Sequence, residues 1–127
     1  MIFDVEADGL LDEATKIHVL AYKVGDGVAY THDYDEMRKI LTEAKLLIGH
    51  NIICYDIPLV EKLLGIKIKA RVIDTLPLSW YLYDNRTRHG LEVWGEEFGV
   101  PKPKIDDWES LTPEEYAHRC IEDVKIN

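Results

Sequence analysis

The stretch Ile2-Phe3-Asp4-Val5-Glu6 decides how the rest of the chain is read, because it is apolar enough for a strand yet sets two acids two residues apart. A strand sends successive side chains to opposite sides, so Asp4 and Glu6 share one side while Phe3 and Val5 take the other. Two carboxylates on one side of a strand end repel across a partly buried site. A hard divalent ion with oxygen ligands would relieve that repulsion. Taken alone, the pair is also compatible with a solvated strand end that carries acids by chance.

Outward from this strand, residues 7–16 are polar, contain Gly9 and read as a loop. Residues 17–24 are rich in strand formers, and Gly25-Asp26-Gly27 makes a tight turn into a second arm at 28–31. The first three strands therefore predict an antiparallel meander. Met37, Ile40 and Leu41 have helical spacing within 34–44, with Asp33 or Asp35 as the cap. A buried strand over 45–49 stops at Gly49. A helix over 57–64 carries Pro58 in its first turn and ends at Gly65. Residues 71–74 read as extended, and 76–83 and 91–98 as short helices, the second followed by Gly99 and a rigid Pro101-Lys102-Pro103. Thr112-Pro113-Glu114-Glu115 opens a final helix. This order predicts one α/β domain over residues 1–127, with a mixed sheet flanked by helices.

Composition agrees with a globular protein: 46% of the 127 residues are apolar and 31% charged. No run approaches the 18 or so apolar residues of a membrane span, and no basic segment leads into an apolar one at the N-terminus. The expected location is cytoplasmic. Cys54 and Cys120 lack the spacing of a soft-metal site and read as buried free thiols. The net charge of -9, from 15 Lys and Arg against 24 Asp and Glu, argues against a large basic nucleic-acid face. Acids that converge on divalent ions would invert the local field and make phosphate welcome where they are densest.

Asp56 ends the run His50-Asn51-Ile52-Ile53-Cys54-Tyr55-Asp56, where a strand hands over to a helix. Ligand crevices of open α/β sheets lie at such junctions, although an Asp there can also be a plain cap. Asn51 is expected to hold the loop through its amide, and Tyr55 to pack. On the last helix His118 and Asp123 are five residues apart, about 140° around the axis. Arg119, four before Asp123, can form an ordinary helix ion pair with it.

Taken together, these motifs resemble the DEDD superfamily of 3'-to-5' exonucleases, the DnaQ-like branch of the ribonuclease-H-like fold. The likeness is to the proofreading domains of phage family-A DNA polymerases. The first motif, D-x-E, is met by Asp4-Val5-Glu6. The second, H-N-x-x-x-aromatic-D, is met by His50-Asn51 and Tyr55-Asp56. The third has an Asp on a late helix with Tyr four before it or His five before it. Arg119 stands in the tyrosine position and His118 in the histidine position, which points to the histidine subtype. Ile73-Asp74-Thr75-Leu76 and the segment from His89 to Gly95 are similar to phage relatives. The chain is short for the family, as a minimal or C-terminally truncated domain would be.

The resemblance implies a nuclease that uses two Mg²⁺ or Mn²⁺ ions on Asp4, Glu6, Asp56 and Asp123, with His118 as the proton acceptor. It implies hydrolysis at the 3' end of single-stranded or frayed DNA, with release of nucleoside monophosphates. Leu10 or Leu11 would wedge against a base, with Asn51, Tyr55 and Lys16 nearby. Lys16, Arg86, Arg88, His89, Lys102 and Lys104 are candidate phosphate contacts. Trp80, Tyr81, Tyr83 and Trp94 read as packing residues, and Trp108 as exposed. A DNA polymerase is an implied partner, and a monomer or weak oligomer the implied state. Three other readings stay open: a catalytically silent nucleic-acid-binding or polymerase-accessory module, another metal nuclease of this fold, and an oligoribonuclease-like RNA exonuclease.

Overall fold

The computed structural model describes residues 1–99 and 111–127. The expected Pro101-Lys102-Pro103 segment, the phosphate contacts Lys102 and Lys104, and exposed Trp108 lie outside these residues. Strands β1 (Phe3–Ala7), β2 (Ile17–Val24) and β3 (Gly27–Thr31) form the antiparallel meander, in that order. Helix α1 (Tyr34–Glu43) leads to β4 (Leu46–Gly49), which pairs in parallel with β5 (Arg71–Asp74). A single parallel bridge from Ile2 to Ile48 joins the meander to this pair, so the mixed sheet runs β3-β2-β1-β4-β5. The amino group of Met1 donates to the Leu46 carbonyl at 2.7 Å and secures the same seam.

Between β4 and β5 lie one π-helical turn, Ile52–Asp56, and α2 (Ile57–Leu64). Helices α3 (Thr75–Leu82) and α4 (Leu91–Phe98) follow β5, and α5 (Pro113–Ile126) ends the described chain. Of the two cap candidates for α1, Asp33 is the one used: its carboxylate accepts from the amides of Asp35 and Glu36. Asp35 pairs instead with Arg38 at 2.8 Å. Gly65 closes α2 at φ 66°, a left-handed conformation that costs glycine little.

The sheet separates two apolar layers. Phe3, Val5, Ile17 and Leu20 bury with Met37, Leu41, Leu59 and Val60 under α1 and α2. Val19 and Ala21 face the other way and meet Tyr116, Ala117, Cys120 and Val124 of α5. Register puts Asp4 opposite Ala21 and Glu6 opposite Val19, so both acids lie on the α5 side. A bulge between Glu6 and Ala7 skips His18 and resets the alternation, which lets Ile17 share a layer with Leu20. Gly49 is required by close approach: a Cβ there would sit 2.3 Å from Ile52 Cγ2 and 3.0 Å from the Phe3 carbonyl.

Candidate active site

The acids of β1 meet α5 at the end of the strand. Asp4, Glu6 and Asp123 each place a carboxylate oxygen within 4.8 Å of the other two. Asp123 reaches them because it follows Cys120 on the stripe of α5 that packs on β2. Asp56 enters from the other side: its Oδ2 accepts from the Val5 amide, between the two β1 acids, at 3.1 Å. The side chain makes no hydrogen bond to the α2 N-terminus, so the plain-cap alternative is not realised.

Electrostatics follow from this crowding. Burial first, then Asp56, Asp123 and Glu6, hold the Asp4 carboxyl well above the ordinary range, with the Cys120 hydrogen bond opposing. Burial likewise pushes Asp56 up to about 8, against the pull of the Val5 amide. Carboxyls pushed toward protonation by one another and by a low dielectric are what a hard cation would reverse. An all-oxygen donor set suits Mg²⁺ or Mn²⁺ and not a soft metal. The residues present therefore fit a divalent ion.

A π turn delivers Asp56. The Ile57 amide bonds back to the Ile52 carbonyl, and Asn51 just before it is left-handed at φ 62°. Asp74 organises this passage: Oδ1 accepts from the amides of Asn51 and Leu76, and Oδ2 from that of Ile53. The expected loop-holding amide of Asn51 is thus corrected: its side chain makes no cap, and its backbone turn and the Asp74 carboxylate do the work. Tyr55 packs at the edge of the larger core, and its hydroxyl donates to the Gly9 carbonyl at 2.7 Å. Burial and the nearby Asp56 push that hydroxyl up to about 12, so it stays a donor.

Beside the acids opens a cleft of 630 Å³, lined by Glu6, Asp8, Leu10, Tyr55, His18 and Tyr116 among others. Leu10 stands 73% exposed at its rim, whereas Leu11 packs against the core. Asp8 stabilises the loop by accepting from the Thr15 hydroxyl and amide and the Lys16 amide, which pull its carboxyl down to about 2. Lys16 itself lines a neighbouring cavity. The imidazole of His18 stacks on Tyr116 with centroids 4.1 Å apart and forms part of the wall.

Helix α5 distributes its residues unequally. His118 is exposed, Tyr116 is buried, and Arg119 reaches back to Glu6, Nε to Oε1 at 3.3 Å. Cys120 is buried as expected, but it is more than packing: Sγ donates to the Asp4 carbonyl at 3.0 Å and to Oδ2 at 3.2 Å. Burial, then Asp4, pushes this thiol up, so it remains a donor. Asp74, Arg119, Cys120 and His18 had no place in the residue-level expectation for the site. The advance signals among them were the Ile73-Asp74-Thr75-Leu76 similarity and the place of Arg119 four residues before Asp123.

Other expectations are corrected here. Cys54 is exposed, because the π turn directs it away from the core. His89 is buried, accepting or donating at Ser79 Oγ over 2.6 Å and stacked on Trp80, so it does not face solvent as a phosphate contact. Arg86 is held by Glu97 at 2.6 Å and lies over the Trp94 ring, and Arg88 pairs with Glu92. Trp94 packs, Trp80 stacks on His89 at 3.8 Å and Tyr83 meets Trp94 edge-on at 5.2 Å, each about half exposed, whereas Tyr81 is 83% exposed and does not pack as expected.

No family model matches the chain. It is 26% identical over 152 residues to a DNA-directed DNA polymerase of Enterobacteria phage T3, covering 91% of this chain and 21% of the polymerase. The corresponding polymerase of Escherichia phage T7 is 26% identical over 149 residues with the same coverage. The chain thus spans about a fifth of the length of these curated relatives. Among solved structures, Brucella melitensis NrnC bound to pGG superposes with a TM-score of 0.74 at 19% identity, covering 98% of this chain and 66% of that one. Among the described residues no helix is long and apolar enough to cross a membrane. Strand order, helix placement and this superposition agree on a ribonuclease-H-like α/β fold, with a mixed sheet flanked by helices.

Proposed function

We propose that the chain is a divalent-metal-dependent 3'-to-5' exonuclease acting on single-stranded or frayed DNA. The observation that carries this reading is the meeting of Asp4, Glu6 and Asp123 within 4.8 Å, with Asp56 anchored between the first two. Two Mg²⁺ or Mn²⁺ ions, when bound, would supply a more readily ionised water and positive charge opposite the transferring phosphoryl group. Asp4, Glu6 and Asp123 would hold such ions through their converging carboxylates. Glu6 and Asp123 would serve the ion that activates the water, and Asp56, held by the Val5 amide, would act toward the leaving group. Cys120 orients the Asp4 carboxylate by its hydrogen bond.

His118 accepts the proton in this reading. An exposed imidazole has a free path by which to pass the proton on to solvent. The 630 Å³ cleft takes the terminal nucleotide, with Leu10 against the base. The similarity to phage DNA polymerases supports DNA over RNA. The setting consistent with this is the cytoplasm, that of a host cell if the chain is viral.

A labelled linear single strand, a circular one and a short RNA, each incubated with Mn²⁺ or with chelator, test the reading. It predicts stepwise release of monophosphates from the linear DNA only, abolished by chelator. Cutting of the circle would make the protein an endonuclease, preference for the short RNA an oligoribonuclease, and binding without hydrolysis a silent module. An inactive His118→Ala beside an active Tyr116→Phe supports the assigned base, and the reverse pattern overturns it.

A further inference from the structure

The guanidinium of Arg119 shares its carboxylate with the acid cluster. Arg119 precedes Asp123 by four residues, so the two side chains lie one turn apart on the same stripe of α5. Its Nε is 3.3 Å from Glu6 Oε1, and both side chains are only 14% exposed. Glu6 is also one of the three acids whose oxygens converge within 4.8 Å. One carboxylate is therefore both the partner of a resident cation and a donor toward a divalent one. A doubly charged ion outcompetes a guanidinium for Glu6 and also repels it at this range.

We infer that Arg119 is a displaceable counter-cation: it neutralises Glu6 in the metal-free protein and swings to the substrate phosphate once the ions bind. The inference rests on the metal site proposed above. In the metal-free state Arg119 offsets the repulsion among the acids. When displaced it remains next to the ions, where a phosphate oxygen would lie, and its planar fork of donors matches a phosphate in two-point contact. Metal binding and substrate binding are coupled in this way through one side chain. A simple structural ion pair would not produce that coupling.

The test uses the 127-residue chain, with Mn²⁺ binding followed by electron paramagnetic resonance and thymidine monophosphate binding by calorimetry at saturating Mn²⁺. Arg119→Met should bind Mn²⁺ at least about tenfold more tightly than the parent, because a competing charge is gone. Its affinity for the monophosphate at saturating Mn²⁺ should fall about tenfold, with Arg119→Lys in between. Arg119→Gln repeats both measurements should the methionine variant misfold. Equal Mn²⁺ affinity in parent and variant overturns the inference while leaving the metal site intact. An unchanged monophosphate affinity overturns it as well. Failure of both proteins to bind Mn²⁺ overturns the inference together with the reading on which it rests.

Discussion

The two sides of β1 differ as much as any two regions of the molecule, although they alternate along five residues. Phe3 and Val5 are almost wholly buried among aliphatic side chains of α1 and α2. Asp4 and Glu6, one residue along, face α5 and meet Asp123, with Asp56 near enough to act on Asp4. One side lowers the free energy of the fold by removing apolar surface from water. The other raises it, because four acids are desolvated and repel. The structured core lets the strand hold a destabilising arrangement in place, which is how functional sites are commonly supported.

The sharpest way to separate the two sides is by substitution. Phe3→Ala should cost about 3–5 kcal/mol of stability by denaturant titration, with specific activity per folded molecule retained. Asp4→Asn should do the opposite: hydrolysis falls on the order of 10²- to 10³-fold, the scale of losing one electrostatic stabiliser of a transition state. Its melting temperature in chelator should rise above that of the parent, since an amide in that crowded place carries no cost of ionisation or of forced protonation. A variant that lost stability like Phe3→Ala would erase the contrast.

Acidity sharpens it further. The folded state raises Asp56 from 3.8 to about 8, so the native protein holds a proton that the unfolded chain releases. That contribution is fully present below about pH 3.8 and is lost progressively as pH climbs to about 8. Metal-free melts at pH 5 and pH 8 should show lower stability at the higher pH, and Asp56→Asn should flatten the slope. Saturating Mn²⁺ should oppose the trend, because ion binding needs ionised carboxylates. The smallest effect belongs to the rim. Leu10→Ala should leave stability within about 0.5 kcal/mol and raise KM several-fold for a single strand. A large loss of stability would mean that Leu10 supports the fold.

Much of this architecture was legible in the sequence because its signals are local. Helix α2 could be bounded from Pro58 and Gly65, and α5 from the Thr112-Pro113 start. Period two on β1 placed both acids on one side before their partners were known. What stayed hidden depends on long-range contact. Asp74 bonds amides more than twenty residues earlier, and Cys120 bonds a carboxylate 116 residues away. Neither pairing has a periodic signature. The π turn at Ile52–Asp56 was also unreadable, since its extra residue per turn is selected by the Asp74 and Val5 contacts and not by propensity. Arg119 could be assigned a helix-local partner from spacing alone, yet it reaches Glu6 on another element.

The most direct measurement is a crystal structure of the chain soaked with Mn²⁺ and a nucleoside monophosphate, with anomalous scattering to locate the metal. The account predicts two ions held among Asp4, Glu6, Asp56 and Asp123, with the nucleotide in the cleft beside Leu10 and Tyr55. Density for no ion in that cluster, or for ions bound elsewhere while hydrolysis proceeds, would contradict it.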